Sequence, residues 1–562
     1  MPTILVDLED LRRLIGGDYD LAGLGADLEL VKGELKGRDD DSGRTRIELN
    51  DTNRPDLWSA AGIARQIRAA RRGGLDSYPA FEKEPGSAEI RVEKRAREVR
   101  PFAGGFLARG PAITAPSLAE LIQSQEKLCD GYGAKRRTVS VGIYRSEKIR
   151  FPVHYRMAEP ERTAFVPLGM DESLDLRRIL ERHPKGVEYG HILRGCERFP
   201  LLVDDTGEVL SFPPIINSRA IGEVLAGDRE LFVEATGTDL RSVLLVLNIL
   251  AADLTDRGYD IEPVTTVFPN RTPYGRRVRV PYPLANRVTV ASSDFHRLLG
   301  TRFEPGQIEH LLRAYGCEVV GGRKTMRVST APFRQDYMHP VDAVEDLAIA
   351  YGLNRLQPIS PERFTPGHLQ PVTLLEDKVR EMLIGLGYEE IISNVLNARA
   401  DLSTRLRVDE APVVGIANVM TESYSTLRWT LLANALAVEE RSAKTPYPHH
   451  IFEVGEVVVR DPEDNHGART ESVLGAFSAH PQASFSEMHA VLQYVLFYLG
   501  HEAELRPLDR GSFLPGRGAA ILINGATMGL LGEIHPEVLE QWGVRMPAAY
   551  VELRLLPSAL LR

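Results

Sequence analysis

Apolar and polar positions alternate with two different periods along this chain, and the switches between the periods mark its elements. Leu8, Leu11 and Leu14 recur at helical spacing near the start. The stretch IELNDTNRPDLWSAAGIARQIRAARR, Ile47 to Arg72, predicts a short strand, a polar turn and a helix with Ile63, Ile67 and Ala70 on its apolar face. Asp56 or Ser59 is placed to cap that helix, next to Pro55, whose missing N–H costs little there. Further on, Arg137 to Tyr144 reads as a strand, and LLVDDTGEVLSFPPIINS, Leu201 to Ser218, reads as two short strands joined by a Gly turn and ended by Pro213-Pro214. Leu231 to Ala235 predicts a strand entering the polar turn Thr236-Gly237-Thr238-Asp239, which opens a strongly apolar helix.

The pattern then changes to helix, helix, hairpin, helix. Ser293 or Asp294 is positioned to cap a helix ending near Gly300, Pro305 starts a second that stops at Gly316, and Val319 to Val328 folds back through Gly321-Gly322. Two helices followed by a two-stranded wing resemble a winged-helix module. After Thr365 come a helix near Leu375 to Leu386, several strands, and a hairpin signal at Asn524-Gly525 between Ile521–Ile523 and Met528–Leu531, which together predict an α+β domain on an antiparallel sheet.

A chain of 562 residues exceeds one core, and roughly 100–200 residues per domain suggests several domains, each with its own core. The apolar run Val243 to Leu254, interrupted by Asn248, is too short to span a bilayer and reads as a buried helix. The acidic, helix-periodic start has no signal-peptide character, so the expected location is the cytoplasm, without a membrane partner. Cys129, Cys196 and Cys317 are too scattered for a zinc site or a disulfide framework. The net charge of −10 means that any phosphate-binding surface must be a local patch. The candidates Arg65 to Arg72, Arg91 to Arg100 and Arg276 to Arg279 are interleaved with apolar or acidic residues and read first as solvated faces.

Two chemical signals stand out. Asp342, Glu345 and Asp346 follow Pro340 at i, i+3 and i+4 on a predicted helix, with Asp336 just upstream; hard oxygen ligands of this kind suit Mg²⁺. The competing reading is an acidic first turn that complements the helix dipole and pairs with Arg334. The second signal is an absence: no Gly-x-Gly-x-x-Arg turn follows Thr365, and no Gly-rich Lys-Ser/Thr phosphate loop occurs. Gly131-Tyr132-Gly133-Ala134-Lys135-Arg136 matches the first spacing, but in the wrong region.

Six stretches, in order, carry a resemblance: NDTNRPDLWS at Asn50, LSFPPIINS at Leu210, FRQDYMHPVDAVEDLAIAYG at Phe333, IANVMTESYSTLR at Ile416, FEVGEVV at Phe452 and LGEIHPEVLEQWG at Leu531. Together they resemble the β subunit of phenylalanyl-tRNA synthetase of the archaeal and eukaryotic type, over essentially the whole chain. The resemblance implies a multidomain α+β fold: an N-terminal α/β module at 1–80, an α/β editing and tRNA-binding domain at 81–270, a winged-helix-like domain at 271–362, and an inactive class II synthetase-like module on an antiparallel sheet at 363–562. It implies an α subunit that performs ATP-dependent aminoacylation, an α2β2 assembly, tRNA(Phe) as partner, and Mg²⁺ at Asp336, Asp342, Glu345 and Asp346. It also places an editing pocket among Leu202, Ser211, Glu234 and Thr236. Leu202 would pack on the ring, Glu234 would accept from a tyrosine hydroxyl, and Ser211 and Thr236 would orient the ester or a water. Family members often carry Asp where this chain has Glu234. Residues Thr421 to Arg428 are candidates for the α-subunit contact. Two other readings compete: a free-standing editing hydrolase, which leaves the class-II-like tail without use, and a nucleic-acid-binding regulator, which the acidic character disfavours.

Overall fold

The computed structural model describes residues 2–16, 18–51, 53–322, 324–408 and 412–560, and the chain divides into two compact units, Met1–Ser360 and Pro361–Arg562. The mixed α/β character expected from the patterning is present in both, and the division itself makes the chain multidomain.

The first unit opens with an antiparallel sheet in which Thr45–Leu49 lies between Thr3–Val6 and Gly33–Arg38. The helix Ala60–Arg72 follows. Of the two predicted caps, Ser59 performs the task, its Oγ accepting from Gly62 N at 3.0 Å, while Asp56 is engaged in a buried ion pair with Arg54. Gly62 is required there, because a Cβ would fall 1.9 Å from the Asp56 carbonyl oxygen. The single apolar face proves too modest an expectation: this helix is buried from Ala60 to Ala69, Arg65 and Arg68 included. Arg65 reaches Asp253 and Asp256 on the long helix Leu240–Asp256, and Arg68 reaches Asp256 and Asp76. Arg65 and Arg68 are therefore structural rather than solvated, while Arg71 and Arg72 at the helix end stay exposed, Arg72 paired with Asp76. One continuous apolar core runs from Ile4 to Phe333, so the first 80 residues have no separate core.

A ten-stranded sheet fills the centre of this unit. From one end its strands are Ile216–Asn217, Val209–Phe212, Phe199–Val203, Val153–Ala158, Glu89–Val92, Asp260–Thr272, Phe102–Arg109, Glu230–Gly237 and Val139–Arg145, with Gly275–Val280 added beside Asp260–Thr272. Its two end strands meet: Tyr144 Oη lies 3.4 Å from Asn217 Oδ1, and Asn217 Nδ2 donates to Ile143 O at 3.4 Å. The sheet thus curls on itself. The helix Leu240–Asp256 packs on it, capped by Asp239, whose side chain accepts from Ser242 N at 2.7 Å. Asn248 is tolerated inside this buried helix because it donates to Tyr282 O and Pro332 O and accepts from Tyr282 N. The predicted turn at Thr236 is corrected, since the strand continues to Gly237 and Thr236 is one of its paired residues.

The helix–helix–hairpin–helix segment is present as Ser292–Leu299, Pro305–Ala314, Glu318–Gly321 with Thr325–Ser329, and Pro340–Tyr351. A third strand, Arg287–Ala291, joins the wing. Neither Ser293 nor Asp294 caps the first helix, which begins at Ser292 after Ala291.

The second unit is built on a seven-stranded sheet in the order Glu389–Glu390, His449–Arg460, Ala468–Ala479, Ala548–Arg554, Ala526–Ile534, Phe513–Ile523 and Glu504–Pro507. All neighbours are antiparallel except the first pair. The hairpin turns at Asn524-Gly525, both with positive φ (51° and 78°), as a two-residue turn matched to strand twist requires. Helices Pro371–Gly385 and Phe485–Leu499 share one core with the sheet, and Leu432–Arg441 and Pro536–Gln541 contribute to another. Among the described residues of either unit, no helix is long and apolar enough to cross a membrane.

Candidate functional site

Side chains alternate across a strand, so Glu234 and Thr236 share a face, as do Ser140, Gly142 and Tyr144 on the neighbouring strand, where Glu234 is paired with Gly142 and Thr236 with Ser140. On its other side Glu234 pairs with Gly105. Two glycines flanking one carboxylate leave room for a side chain to lie across the sheet. Over Gly142 that room is taken by Tyr144, whose hydroxyl donates to Glu234 Oε1 at 2.7 Å, and over Gly105 by the Phe232 ring. Curling of the sheet brings up the opposite edge, on which Leu202 is paired with Ser211 and Ser211 with Asn217. The four residues expected to line an editing pocket are all buried, Thr236 and Leu202 completely. One acceptor oxygen of Glu234, Oε1, is held by the protein's own phenol, while the other, Oε2, is buried without a partner.

Thr236 is tied down more firmly than a residue that orients an ester. Arg100, itself buried, donates to Thr236 Oγ1 at 2.9 Å, to Thr236 O at 2.6 Å and to Ser140 Oγ at 3.0 Å, and holds the carbonyls of Arg136 and Arg137 at 3.1 Å. This anchors the strand end beside Glu234. Ser211 Oγ and Glu234 Oε2 both lack a well-formed hydrogen bond. Ser211 lies near enough to Tyr144 to act on its hydroxyl electrostatically, without the alignment of a hydrogen bond. Burial pushes the Glu234 carboxyl up to about 8, against the opposing pulls of the Tyr144 hydroxyl and the Arg100 charge. At neutral pH this group is mostly protonated, with the buried Oε2 as the free position. Tyr144, Gly142, Arg100 and Asn217 escaped the sequence reading. The Gly142-x-Tyr144 spacing within a predicted strand was the one available signal, since it puts a gap and a phenol on the same face.

The four carboxylates expected to hold Mg²⁺ do not converge. Asp336 and Asp346 flank Arg334, which donates to Asp336 at 2.7 and 3.0 Å and to Asp346 at 2.9 Å. Burial would raise Asp336, but Arg334 and Arg54 outweigh it and hold the carboxyl at about 2. Asp346 also accepts from the Tyr337 hydroxyl at 2.7 Å. Asp342 closes a capping box with His339, its Oδ2 accepting from Met338 N and His339 N, and Glu345 is exposed and paired with Lys32. Adjacent residues on a helix point about 100° apart, which is why Glu345 faces solvent while Asp346 faces the core. A guanidinium already holds the centre, so these residues do not fit the metal as a set, and the competing assignment of helix start plus Arg334 pairing describes them. Asp342→Asn is expected to leave bound Mg²⁺ unchanged and to lower stability by about 1 kcal/mol through the weakened cap; metal analysis and denaturant unfolding check both.

Among the described residues, one group of three potential ligands lies within 4.8 Å: His450, His480 and Glu487 in the second unit. His480 Nε2 meets Glu487 at 2.9 Å while its Nδ1 accepts from Gln482 N, so both ring nitrogens are engaged. In the Gly131–Arg136 segment the arginine is engaged internally: Arg136 donates to the carbonyls of Pro214 and Ile215 and lies over the Tyr189 ring. Arg277 is paired with Glu89, and Arg276 and Arg279 donate to backbone carbonyls. Within Thr421 to Arg428 the C-terminal end is structural, Arg428 being buried against Glu453 and Ser393, whereas Tyr424, and Met420 just before the range, project outward.

Comparison with known proteins follows the same division. Residues 359–555 match the model of the phenylalanyl tRNA synthetase beta chain CLM domain, and residues 288–353 that of the tRNA synthetase B5 domain. The chain is 37% identical to the phenylalanine–tRNA ligase beta subunit of Borrelia hermsii over 99% of both chains. It is 39% identical to that of Treponema pallidum over 90% of this chain and 85% of the other. The crystal structure of an N-terminal fragment of the phenylalanyl-tRNA synthetase beta subunit from Pyrococcus horikoshii is similar to 62% of this chain, covering 99% of the fragment with a TM-score of 0.59 and 35% identity.

Proposed function

The chain belongs to the phenylalanyl-tRNA synthetase β-subunit family, and from that premise we propose how it works within a phenylalanine–tRNA ligase. The observation that carries the reading is identity of 37% sustained over 99% of the chain and of its relative, which leaves no domain unaccounted for. Aminoacylation belongs to an α subunit, because the second unit offers neither the Gly-x-Gly-x-x-Arg turn nor any other motif for gripping ATP phosphates. ATP and phenylalanine are substrates of the assembled α2β2 enzyme, and tRNA(Phe) is its nucleic-acid partner. Exposed Met420, Tyr424 and Ile392 are suited to an apolar contact with α. The archaeal and eukaryotic type of subunit is supported by the likeness to the Pyrococcus fragment, alongside relatives from spirochaetes.

The first unit hydrolyses tyrosyl-tRNA formed in error. An apolar pocket shaped for a phenyl ring discriminates weakly against the same ring with a hydroxyl added, so a second, hydrolytic site is needed. Glu234 is the group in this chain suited to recognise that hydroxyl, being buried, mostly uncharged at neutral pH and surrounded by Ser211, Thr236 and Leu202. The assembled enzyme is expected to deacylate tyrosyl-tRNA(Phe) at least about tenfold faster than phenylalanyl-tRNA(Phe), the factor set by one buried hydrogen bond. Equal rates on both esters contradict the editing role.

A further inference from the structure

Tyr144 holds, on Glu234 Oε1, the hydrogen bond that the proposed reaction assigns to a substrate phenol. Its hydroxyl donates to Glu234 Oε1 and lies near Asn217, while its own ring packs against Phe232 at a centroid distance of 5.9 Å. The pair has room only because residue 142 is glycine: a Cβ there would sit 2.1 Å from the Tyr144 hydroxyl and 2.6 Å from Glu234 Oε1. No second hydrogen bond reaches the carboxyl, since Glu234 Oε2 is buried without a partner.

Building on the editing reading above, we propose that Tyr144 is a resident stand-in for the tyrosyl side chain, and that an aminoacyl ring reaches Glu234 only by displacing it. The exchange treats the two esters differently. A tyrosyl group brings a hydroxyl, so Glu234 loses one phenol donor and gains another. A phenylalanyl group brings none, and binding it leaves a buried carboxyl without any hydrogen bond, which is unfavourable. Were the free enzyme to lack the Tyr144 hydroxyl, both esters would bind more tightly by the same factor. Tyr144 thus weakens entry of both equally, protecting correctly charged tRNA from hydrolysis while the preference between esters stays with Glu234. It acts through Glu234 and touches no reacting atom, so it is a positioning residue.

Tyr144→Phe keeps the ring and removes only the hydroxyl. In the assembled enzyme this change is expected to lower KM for hydrolysis of tyrosyl-tRNA(Phe) and of phenylalanyl-tRNA(Phe) alike by about tenfold, with kcat unchanged and the preference preserved. A KM that stays the same or rises for either ester overturns the gate, and so does a loss confined to kcat, which is what a purely structural role would give. Glu234→Gln, assayed in parallel, separates the two ideas. Should the parent and Tyr144→Phe enzymes hydrolyse tyrosyl-tRNA with equal KM while Glu234→Gln loses the preference, the gate alone fails. Should neither the parent nor Tyr144→Phe hydrolyse either ester, the editing reading fails and the gate with it.

Discussion

Glu234→Ala in the assembled enzyme is expected to let tyrosyl-tRNA(Phe) accumulate during aminoacylation with mixed amino acids, because the hydrolytic preference for the tyrosyl ester falls by about tenfold or more, toward unity. Glu234 faces Tyr144 beside Ser211 and Thr236, and its Oε1 already binds a phenol. An unchanged ratio of tyrosyl to phenylalanyl product sinks the assignment. The same replacement leaves a signature in stability. Burial places the folded-state pKa of Glu234 at about 8, above the ordinary carboxyl value, so folding favours the neutral form. The resulting penalty is absent below the ordinary value, grows as pH rises and is complete above about 8. Alanine removes it, and the Tm of the variant relative to the parent should climb between about pH 5 and about pH 8.

Arg65→Ala carries the largest expected effect on folding. Arg65 is buried between Asp253 and Asp256, and its guanidinium also lies 4.5 Å from the centroid of the Phe333 ring. Asp256 keeps Arg68 and Tyr78 as partners, but Asp253 loses the one ion pair it makes among the described residues, and burial already raises its carboxyl. Stranding a buried charge in this way typically costs about 3–5 kcal/mol. Denaturant unfolding of the full chain should show that loss in the transition of the first unit, and the double replacement Arg65→Met with Asp253→Leu should recover most of it, because an apolar pair leaves no charge unpaired. A loss below about 1 kcal/mol for Arg65→Ala means that the pair is solvated in solution.

What the sequence disclosed and what it withheld follow from the range of the interactions involved. Local chemistry was readable: Ser59 and Asp239 cap their helices from adjacent positions, Asn524-Gly525 turns its hairpin with the two positive φ values its residue types allow, and the apolar run after Asp239 is a buried helix. Long-range pairing was not. Arg65 looked like part of a solvated basic face because its partners lie 188 and 191 residues away. The carboxylates around Asp342 were assigned to a metal on the resemblance, although the residues alone already offered the pairing with Arg334 that Asp336 and Asp346 share. At the candidate site, residues carried over from the resemblance lie on three strands, two at one end of the sheet and one near the other, which meet only when the sheet curls, and Tyr144, 90 residues from Glu234, became visible only once register placed Gly142 opposite the carboxyl.

The claim on which the account turns is that the second unit has the architecture of a synthetase module without the groups to hold ATP, so that another polypeptide performs the chemistry. Attachment of phenylalanine to tRNA(Phe) in the presence of ATP, measured with the purified chain alone and again after co-expression with a class II α subunit, tests it directly. The account predicts charging only in the second case; charging by the chain alone, free of any other polypeptide, contradicts it.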